Sequence, residues 1–155
     1  MGSRVRKIFL PGSELNGVHY LRNIADVEGI KKQIQKDKNV VIIGGGYIGL
    51  EAAASLKTYG MNVVVLEAAP RILQRVTSPE VSEFYAQIHA EEGVEVFTDI
   101  VVTSLIGDSH VEQVVCENGV VFPADLVIVG IGIIPNTELA EQAGIDVSDG
   151  ISVDE

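Results

Sequence analysis

The stretch Val40–Glu67, which reads VVIIGGGYIGLEAAASLKTYGMNVVVLE, decides the fold of this 155-residue chain. The β-branched run from Asn39 to Ile43 is apolar on both faces, as expected of a parallel strand that is buried on both sides. Three glycines follow, then a helical segment that stops at Gly60, then a second buried-strand run from Asn62 to Leu66. The stretch therefore predicts a strand, a tight glycine turn, a helix and a second strand, which together make a βαβ unit.

The glycine turn, Gly44-Gly45-Gly46-Tyr47-Ile48-Gly49, matches the pattern G-x-G-x-x-G. Gly44 permits the tight turn out of the strand, Gly46 lets the backbone approach a pyrophosphate, and Gly49 lets the helix pack closely on the strand. The helix that begins near Tyr47 directs free N–H groups and its positive dipole end at the phosphates. Glycines alone are equally consistent with a flexible turn, but the strand before them and the helix after them favour a dinucleotide site.

An acidic residue, Glu67, ends the second strand about 20 residues beyond the turn, where a carboxylate can accept hydrogen bonds from both ribose hydroxyls. A carboxylate there repels a 2′-phosphate, so Glu67 favours NAD over NADP. The alternative is a solvated glutamate at a strand end. Arg71 and Arg75 follow closely, and an arginine there could accommodate a 2′-phosphate, although contact with the pyrophosphate or the adenine face is the favoured interpretation.

Further helices are indicated on either side of this unit. Asn23 is a suitable N-cap for an early helix with Ile24, Val27, Ile30 and Ile34 on its apolar face. In the helix after the glycine turn, the apolar side is expected to hold Ile48, Ala52, Ser55, Leu56 and Tyr59. Ser78-Pro79-Glu80 predicts the start of another helix, whose apolar stripe is Val81, Phe84, Tyr85 and Ile88.

The remaining segments predict strands. An extended segment is expected near the start of the chain, from Val5 to Leu10, and a third strand of the sheet from Val94 to Phe97. The pattern then changes. Three short strands separated by turns predict an antiparallel meander, over Val101–Ile106, Val111–Cys116 and Val120–Phe122. Leu126 to Val129 returns as a buried strand, and Asn136 or Thr137 can cap a last short helix. We therefore expect an α/β, Rossmann-like three-layer domain with a parallel sheet and a small antiparallel β-meander insert.

Composition excludes several classes of function. Acidic residues number 22 against 11 basic ones, giving a formal charge of -11, which argues against nucleic-acid partners and against an anionic membrane surface. The single cysteine, Cys116, precludes an internal disulfide and is compatible with a cytoplasmic location. The widely spaced His19, His89 and His110 are predicted to be surface or interface residues rather than metal ligands. We predict no metal site and no nucleophilic catalytic set.

Two signatures now resemble one family. The stretch from residue 40 to 67 resembles the NAD domain of the FAD-dependent pyridine nucleotide-disulfide oxidoreductases, and DLVIVGIGIIPN, from Asp125 to Asn136, is similar to their second signature. The flanking segments resemble the oxygenase-coupled ferredoxin reductases of that family, namely Leu10-Pro11-Gly12, GVHYLR at 17–22, PRILQRV at 70–76 and SEFY at 82–85.

The resemblance implies an NADH-binding module of a larger reductase, which passes hydride from NADH to FAD and electrons to a 2Fe-2S ferredoxin that serves an oxygenase. It places Glu51 near the nicotinamide and flavin, Tyr47 over the flavin face, and Ile131 and Gly132 where the nicotinamide approaches. Each of these is also explained on sequence alone as an ordinary helix or loop position. The predicted cofactor-binding residues are Gly44, Gly46, Tyr47, Ile48, Gly49, Glu51, Glu67, Arg75, Ile131 and Gly132.

The resemblance also suggests a domain organisation. Residues 1–21 are expected to be a hinge from a flavin domain, 22–144 the NADH-binding domain, and 145–155 a segment that leads back to the flavin domain. The chain has one G-x-G-x-x-G turn, so the FAD site is expected elsewhere in the full-length protein. Two alternatives stay open at this point: the same module from an NADH oxidase or a disulfide reductase, and a non-catalytic NAD-binding module.

Overall fold

The computed structural model describes residues 2–153. Its helices are α1 (Ile24–Lys31), α2 (Tyr47–Thr58), α3 (Pro79–Glu91) and α4 (Glu138–Gln142). Its strands are β1 (Ser3–Val5), β2 (Val18–Tyr20), β3 (Asn39–Ile43), β4 (Asn62–Leu66), β5 (Glu95–Phe97), β6 (Val102–Ile106), β7 (Gln113–Cys116), β8 (Val121–Pro123), β9 (Leu126–Val129) and β10 (Ile133–Pro135). Within this part of the chain, every helix is too short or too polar to cross a bilayer.

A five-stranded parallel sheet forms the centre, in the order β2-β9-β3-β4-β5. The middle strands β3 and β9 are buried along almost their whole length. Their sequences carry valine, isoleucine and leucine at nearly every position because both faces of the sheet are covered. The predicted parallel sheet is confirmed.

Different layers cover the two faces of this sheet. One apolar cluster packs Ile30 of α1 and Leu50 and Leu56 of α2 against the first face, with Ala86 of α3 at its edge. On the second face, another cluster includes Leu105 and the meander strands β6, β7 and β8, which form the predicted antiparallel three-stranded sheet. The three-layer, Rossmann-like α/β architecture with a meander insert is thus confirmed.

The strand order fixes where a ligand can enter. The chain leaves β3 for β4 and β5 on one side and later fills the other side with β9, so connections diverge between β3 and β9. In open α/β sheets, ligands bind beyond the carboxyl ends of the strands at such a point. Here those ends lead directly into Gly44, Glu67 and Gly130.

Two short N-terminal strands differ from expectation. Of the extended segment expected over Val5–Leu10, only Val5 lies in a strand, because β1 is Ser3–Val5 and its antiparallel pairing with β10 ends at Val5. The segment before residue 21 also supplies β2, which pairs in parallel with β9. Both partners are remote in sequence, so local patterns give no sign of them.

The apolar stripe predicted for α3 is on the wrong face. Phe84 is 59% exposed and Tyr85 38%, whereas Ser82 and His89 are buried. The ring nitrogens of His89 lie 2.8 Å from the Tyr85 carbonyl oxygen and 3.2 Å from that of Leu50 on α2. His89 is therefore an interhelical contact rather than a surface residue, because its two polar ring atoms find backbone partners when α3 packs.

Candidate dinucleotide-binding site

The ends of β3 and β9 meet at two glycines. Gly44 has a φ of +113°, and a Cβ added to it would lie 2.5 Å from the carbonyl oxygen of Gly130. The Gly130 N–H in turn donates to the carbonyl oxygen of Ile43 at 2.8 Å. Only glycine satisfies both the left-handed backbone and this close approach, which confirms the tight turn expected at Gly44.

The start of α2 packs tightly against the glycine turn at Gly49 and is open at Gly46. A Cβ on Gly49 would lie 2.0 Å from the Gly44 carbonyl oxygen, so Gly49 allows the helix to sit directly on the turn. Among residues 2–153, and apart from its own chain neighbours, no heavy atom lies within 4 Å of the ideal Cβ position of Gly46, the N-cap. The first turn of α2 carries no acidic side chain. The N-terminus of α2 therefore faces open space that suits a phosphate group.

Glu67 is held in place by backbone groups on both sides. Its Oε2 accepts a hydrogen bond from the Gly45 N–H at 2.7 Å, and its Oε1 accepts one from the Ala69 N–H at 2.8 Å. A carboxylate has about four acceptor positions, so each oxygen keeps capacity for a further donor. The acidic residue predicted at the end of the second strand thus lies directly beside the glycine turn.

The middle residue of the turn was missed at the sequence level. A Cβ on Gly45 would lie 2.7 Å from Cγ2 of Ile72 and 3.2 Å from Cβ of Glu67. The Gly45 carbonyl oxygen also accepts a hydrogen bond from the Leu73 N–H at 2.9 Å. The loop after β4 therefore supports the turn from the side, and a glycine at position 45, which the G-x-G-x-x-G pattern does not require, is the sequence signal for that close contact.

The two arginines of this loop have different positions. Arg71 donates from Nη1 to the Thr77 carbonyl oxygen and the Ser82 hydroxyl, and from Nη2 to the Gln74 carbonyl oxygen. Arg75 is exposed, and its Nη2 lies 3.9 Å from the ideal Cβ position of Gly132. Because β3 separates β4 from β9, Arg75 spans from the loop after β4 to the loop after β9, across the end of β3.

The other predicted site residues form the rim. Tyr47 is 50% exposed on the first turn of α2, and Ile131 is half-buried in the loop after β9. Ile48 and Glu51 line a separate groove of about 620 Å³ between α1 and α2, together with Val27 and Tyr59. The structure thus gathers the glycines, Glu67, Arg75 and the 131–132 loop at one edge of the sheet, and it places Ile48 and Glu51 beside that edge.

Comparison with known proteins agrees with this geometry. A family model described as pyridine nucleotide-disulphide oxidoreductase matches residues 1–155. The chain is 47% identical over 143 residues to putidaredoxin reductase CamA of Pseudomonas putida, covering 90% of this chain and 34% of that protein. It is 41% identical over 151 residues to the rubredoxin-NAD(+) reductase of Ectopseudomonas oleovorans, covering 97% of this chain and 39% of that protein.

A solved structure shows the same fold. The crystal structure of the covalent putidaredoxin reductase–putidaredoxin complex matches with a TM-score of 0.92 and 44% identity, over 97% of this chain and 37% of the reductase chain. The chain therefore spans little more than a third of the length of the relatives it matches. Its matched length, its glycine turn and its fold agree, and the chain belongs to the pyridine nucleotide-disulphide oxidoreductase family.

Proposed function

We propose that this chain is the NADH-binding module of a flavoprotein reductase that takes hydride from NADH onto FAD and passes electrons to a 2Fe-2S ferredoxin. The observation that carries the proposal is the open cradle at Gly46, with the N-terminus of α2 on one side and the fixed carboxylate of Glu67 on the other. This arrangement places a site that suits an anion next to a carboxylate that suits a ribose, as a dinucleotide requires.

Glu67 supplies the selectivity for NADH. The Gly45 and Ala69 N–H groups fix its two oxygens, and the remaining acceptor capacity suits the 2′- and 3′-hydroxyls of an adenosine ribose. A 2′-phosphate at the same place would meet a negative charge that cannot turn away, because both oxygens are already bonded. Arg71 is committed to two carbonyl oxygens of its own loop and to the Ser82 hydroxyl of α3, so it does not offset that repulsion.

Arg75 supplies a cation for the diphosphate. Its guanidinium lies beside Gly132, so the side chain reaches from the loop after β4 to the loop after β9, past the end of β3. A planar guanidinium binds phosphate oxygens in pairs, and α2 also begins at this end of β3. The two positive groups together would hold the diphosphate between them.

The rim residues suit the nicotinamide end. Gly132 has a φ of +110° and no side chain, and Ile131 beside it provides an apolar wall for a ring. Tyr47 and Glu51, both exposed on α2, would face the flavin of the full-length protein. FAD, when bound, supplies the two-electron to one-electron conversion, and this chain positions the nicotinamide for it.

The relatives support a proposal for the partners of the full-length protein. Putidaredoxin reductase was crystallised with putidaredoxin, and other relatives are named rubredoxin and ferredoxin reductases. We therefore propose a 2Fe-2S ferredoxin as the electron acceptor and an oxygenase as its user, in the cytoplasm. The domain boundaries at residues 21 and 144 belong to the same proposal, and residues 154 and 155 of the last segment lie outside the described residues.

Cofactor titration tests the proposal. The 155-residue chain is titrated with NADH and with NADPH, following nicotinamide fluorescence. We expect tighter binding of NADH, and Glu67→Gln should reduce the preference for NADH by about tenfold or more, because it removes the charge that repels the 2′-phosphate. Glu67→Ala should also weaken NADH binding itself, because it removes both oxygens that would accept from the ribose hydroxyls.

The matched control is Glu28→Ala, which removes an exposed carboxylate on α1, outside the crevice. Its NADH affinity should equal that of the unaltered chain. Equal affinity of the unaltered chain for NADH and NADPH would contradict the role of Glu67. Lack of binding to both cofactors would overturn the proposed module itself.

A further inference from the structure

The loop after β4, residues 68–77, contains a strained and buried residue. Leu73 has a φ of +54°, in the left-handed region that a bulky side chain rarely occupies, and only 3% of it is exposed. Such a conformation persists only where surrounding contacts determine it. The Leu73 N–H donates to the Gly45 carbonyl oxygen at 2.9 Å, so one of those contacts is with the glycine turn.

A second anchor holds the same loop to α3. The Ser82 hydroxyl is buried, donates to the Ile72 carbonyl oxygen at 2.7 Å, and accepts from Nη1 of Arg71 at 2.6 Å. The same guanidinium donates to the carbonyl oxygens of Thr77 and Gln74, each at 3.0 Å. The Arg71 fork therefore ties the two ends of the segment 71–77 together and ties both to Ser82.

Arg75 lies between these two anchors. Its side chain is exposed and makes its approach to Gly132 from a backbone that is fixed on one side by Leu73 and on the other by Thr77, whose hydroxyl donates to the Leu73 carbonyl oxygen. A flexible arginine side chain loses less entropy on binding phosphate when its backbone is already in place. The anchors therefore hold the backbone from which the Arg75 side chain extends.

We propose that Arg71 and Ser82 are positioning residues for the dinucleotide site. They hold the loop after β4 so that the Arg75 side chain reaches Gly132, past the end of β3 where the glycine turn begins. This inference rests on the proposed function, since it assigns how the loop contributes to NADH affinity. Neither residue is among the groups proposed to contact the dinucleotide. Their effect is expected in affinity and in loop order rather than in the choice between NADH and NADPH.

A double-mutant cycle tests the proposal on the 155-residue chain. Ser82→Ala should raise the NADH dissociation constant about tenfold, because Arg71 loses a buried acceptor and the loop loses its tie to α3. In an Arg75→Gln background, the same change should have an effect of no more than about twofold, because the side chain through which it acts is gone. Arg71→Lys replaces the planar fork of two donating nitrogens by a single ammonium nitrogen, so it should behave like Ser82→Ala and serves if that variant does not fold.

The matched control is His89→Gln, at the other buried polar residue of α3. It loosens the contact of α3 with α2 but leaves the loop intact, so NADH affinity should stay within about twofold of the unaltered chain. A similar loss of affinity in His89→Gln would mean that general packing of α3 is responsible. Unchanged affinity in Ser82→Ala and Arg71→Lys, or equal effects of Ser82→Ala with and without Arg75, would overturn the positioning role.

Amide hydrogen exchange separates this inference from the proposed function. In the chain without cofactor, the Leu73 amide should exchange slowly, and Ser82→Ala should make it exchange at least about tenfold faster. If the unaltered chain does not bind NADH, the proposed function fails while the exchange result still decides whether the pair holds the loop. Equal exchange in both proteins would overturn the inference even if NADH binds.

Discussion

At the scale of single residues, the glycines of the turn after β3 have different surroundings. The ideal Cβ position of Gly49 lies 2.0 Å from a backbone oxygen, whereas that of Gly46 has no described atom within 4 Å apart from its chain neighbours. Gly46 also has an extended backbone, with a φ of -83°, that any residue adopts. Folding therefore requires glycine at position 49, and only a ligand would require it at position 46.

Two alanine substitutions separate these requirements. Gly46→Ala should change the unfolding free energy by less than about 1 kcal/mol, yet weaken NADH binding at least about tenfold, because its methyl group occupies the phosphate space. Gly49→Ala should lose about 2 kcal/mol or more of stability, because the helix must move off the turn. Denaturant unfolding and NADH titration measure the two effects, and tight NADH binding by Gly46→Ala would contradict the position of the cradle.

How far single residues could be predicted depends on what constrains them. Gly44, Gly49 and Glu67 were identified because a helix, a turn and a strand end in fixed order impose them locally. Gly45 was missed because its constraint comes from Ile72, which returns to the turn only after β4. The contact of Arg71 with Ser82 could not be predicted either, since it depends on where α3 packs.

At the scale of secondary-structure elements, α1 shows the local rule most fully. Asn23 accepts a hydrogen bond from the Asp26 N–H at 3.1 Å, and the Asp26 carboxylate accepts one from the Asn23 N–H at 2.9 Å. Ser78 occupies the same position before α3 but makes no side-chain cap bond there. Both residues were expected as caps, and only the first makes the bond.

The two caps should therefore differ in energy. Asn23→Ala should lower the unfolding free energy by about 1 kcal/mol, or the melting temperature by about 2–4 °C, because both arms of the capping box are lost. Ser78→Ala should cost less than about 0.5 kcal/mol, as for an exposed residue with no such bond. Thermal unfolding of the two variants compares them, and a greater loss in Ser78→Ala would contradict the assignment.

The outward face of α3 shows the limit of periodicity. Helical spacing predicted Val81, Phe84, Tyr85 and Ile88 as the buried stripe, but each is at least 38% exposed. The small residues Ser82 and Ala86 lie inward instead, because α3 sits close to the sheet edge and to the loop after β4. Apolar spacing thus located the helix and misjudged its rotation.

At the scale of the whole molecule, the sheet order followed from the sequence only in part. The run of β3, α2 and β4 was predictable because its partners are adjacent in the chain. The edge strand β2 and the β1–β10 pair were not, because each pairing joins segments from opposite ends of the described chain. Nothing in a three-residue strand encodes so distant a partner.

Stability of the whole domain should depend on His19 of β2. Burial lowers the pKa of His19 below its usual 6.5, against the opposing effects of Gln33 and Asp26 and together with that of His110. The unfolded chain therefore binds a proton at a higher pH than the folded chain does. Stability from this group is present above pH 6.5 and is lost as the pH falls through the folded-state pKa.

Replacement of that residue tests the dependence. His19→Gln should have a shallower fall in unfolding free energy between about pH 7 and pH 5 than the unaltered chain. Denaturant unfolding at about pH 8, where His19 is neutral in both states, provides the reference for each protein. Parallel curves for the two proteins across this range would contradict the role of His19.

The pairing of Ser3 with Pro135 and of Val18 with Val127 also determines when the molecule can be completed. During synthesis, β3, α2, β4, α3 and β5 emerge together and can assemble from neighbouring segments. The strands β1 and β2 are made before this unit, but they can pair only after β10 and β9 have left the exit tunnel. Closing so long a loop is slow, so we expect β1 and β2 to join the structure late.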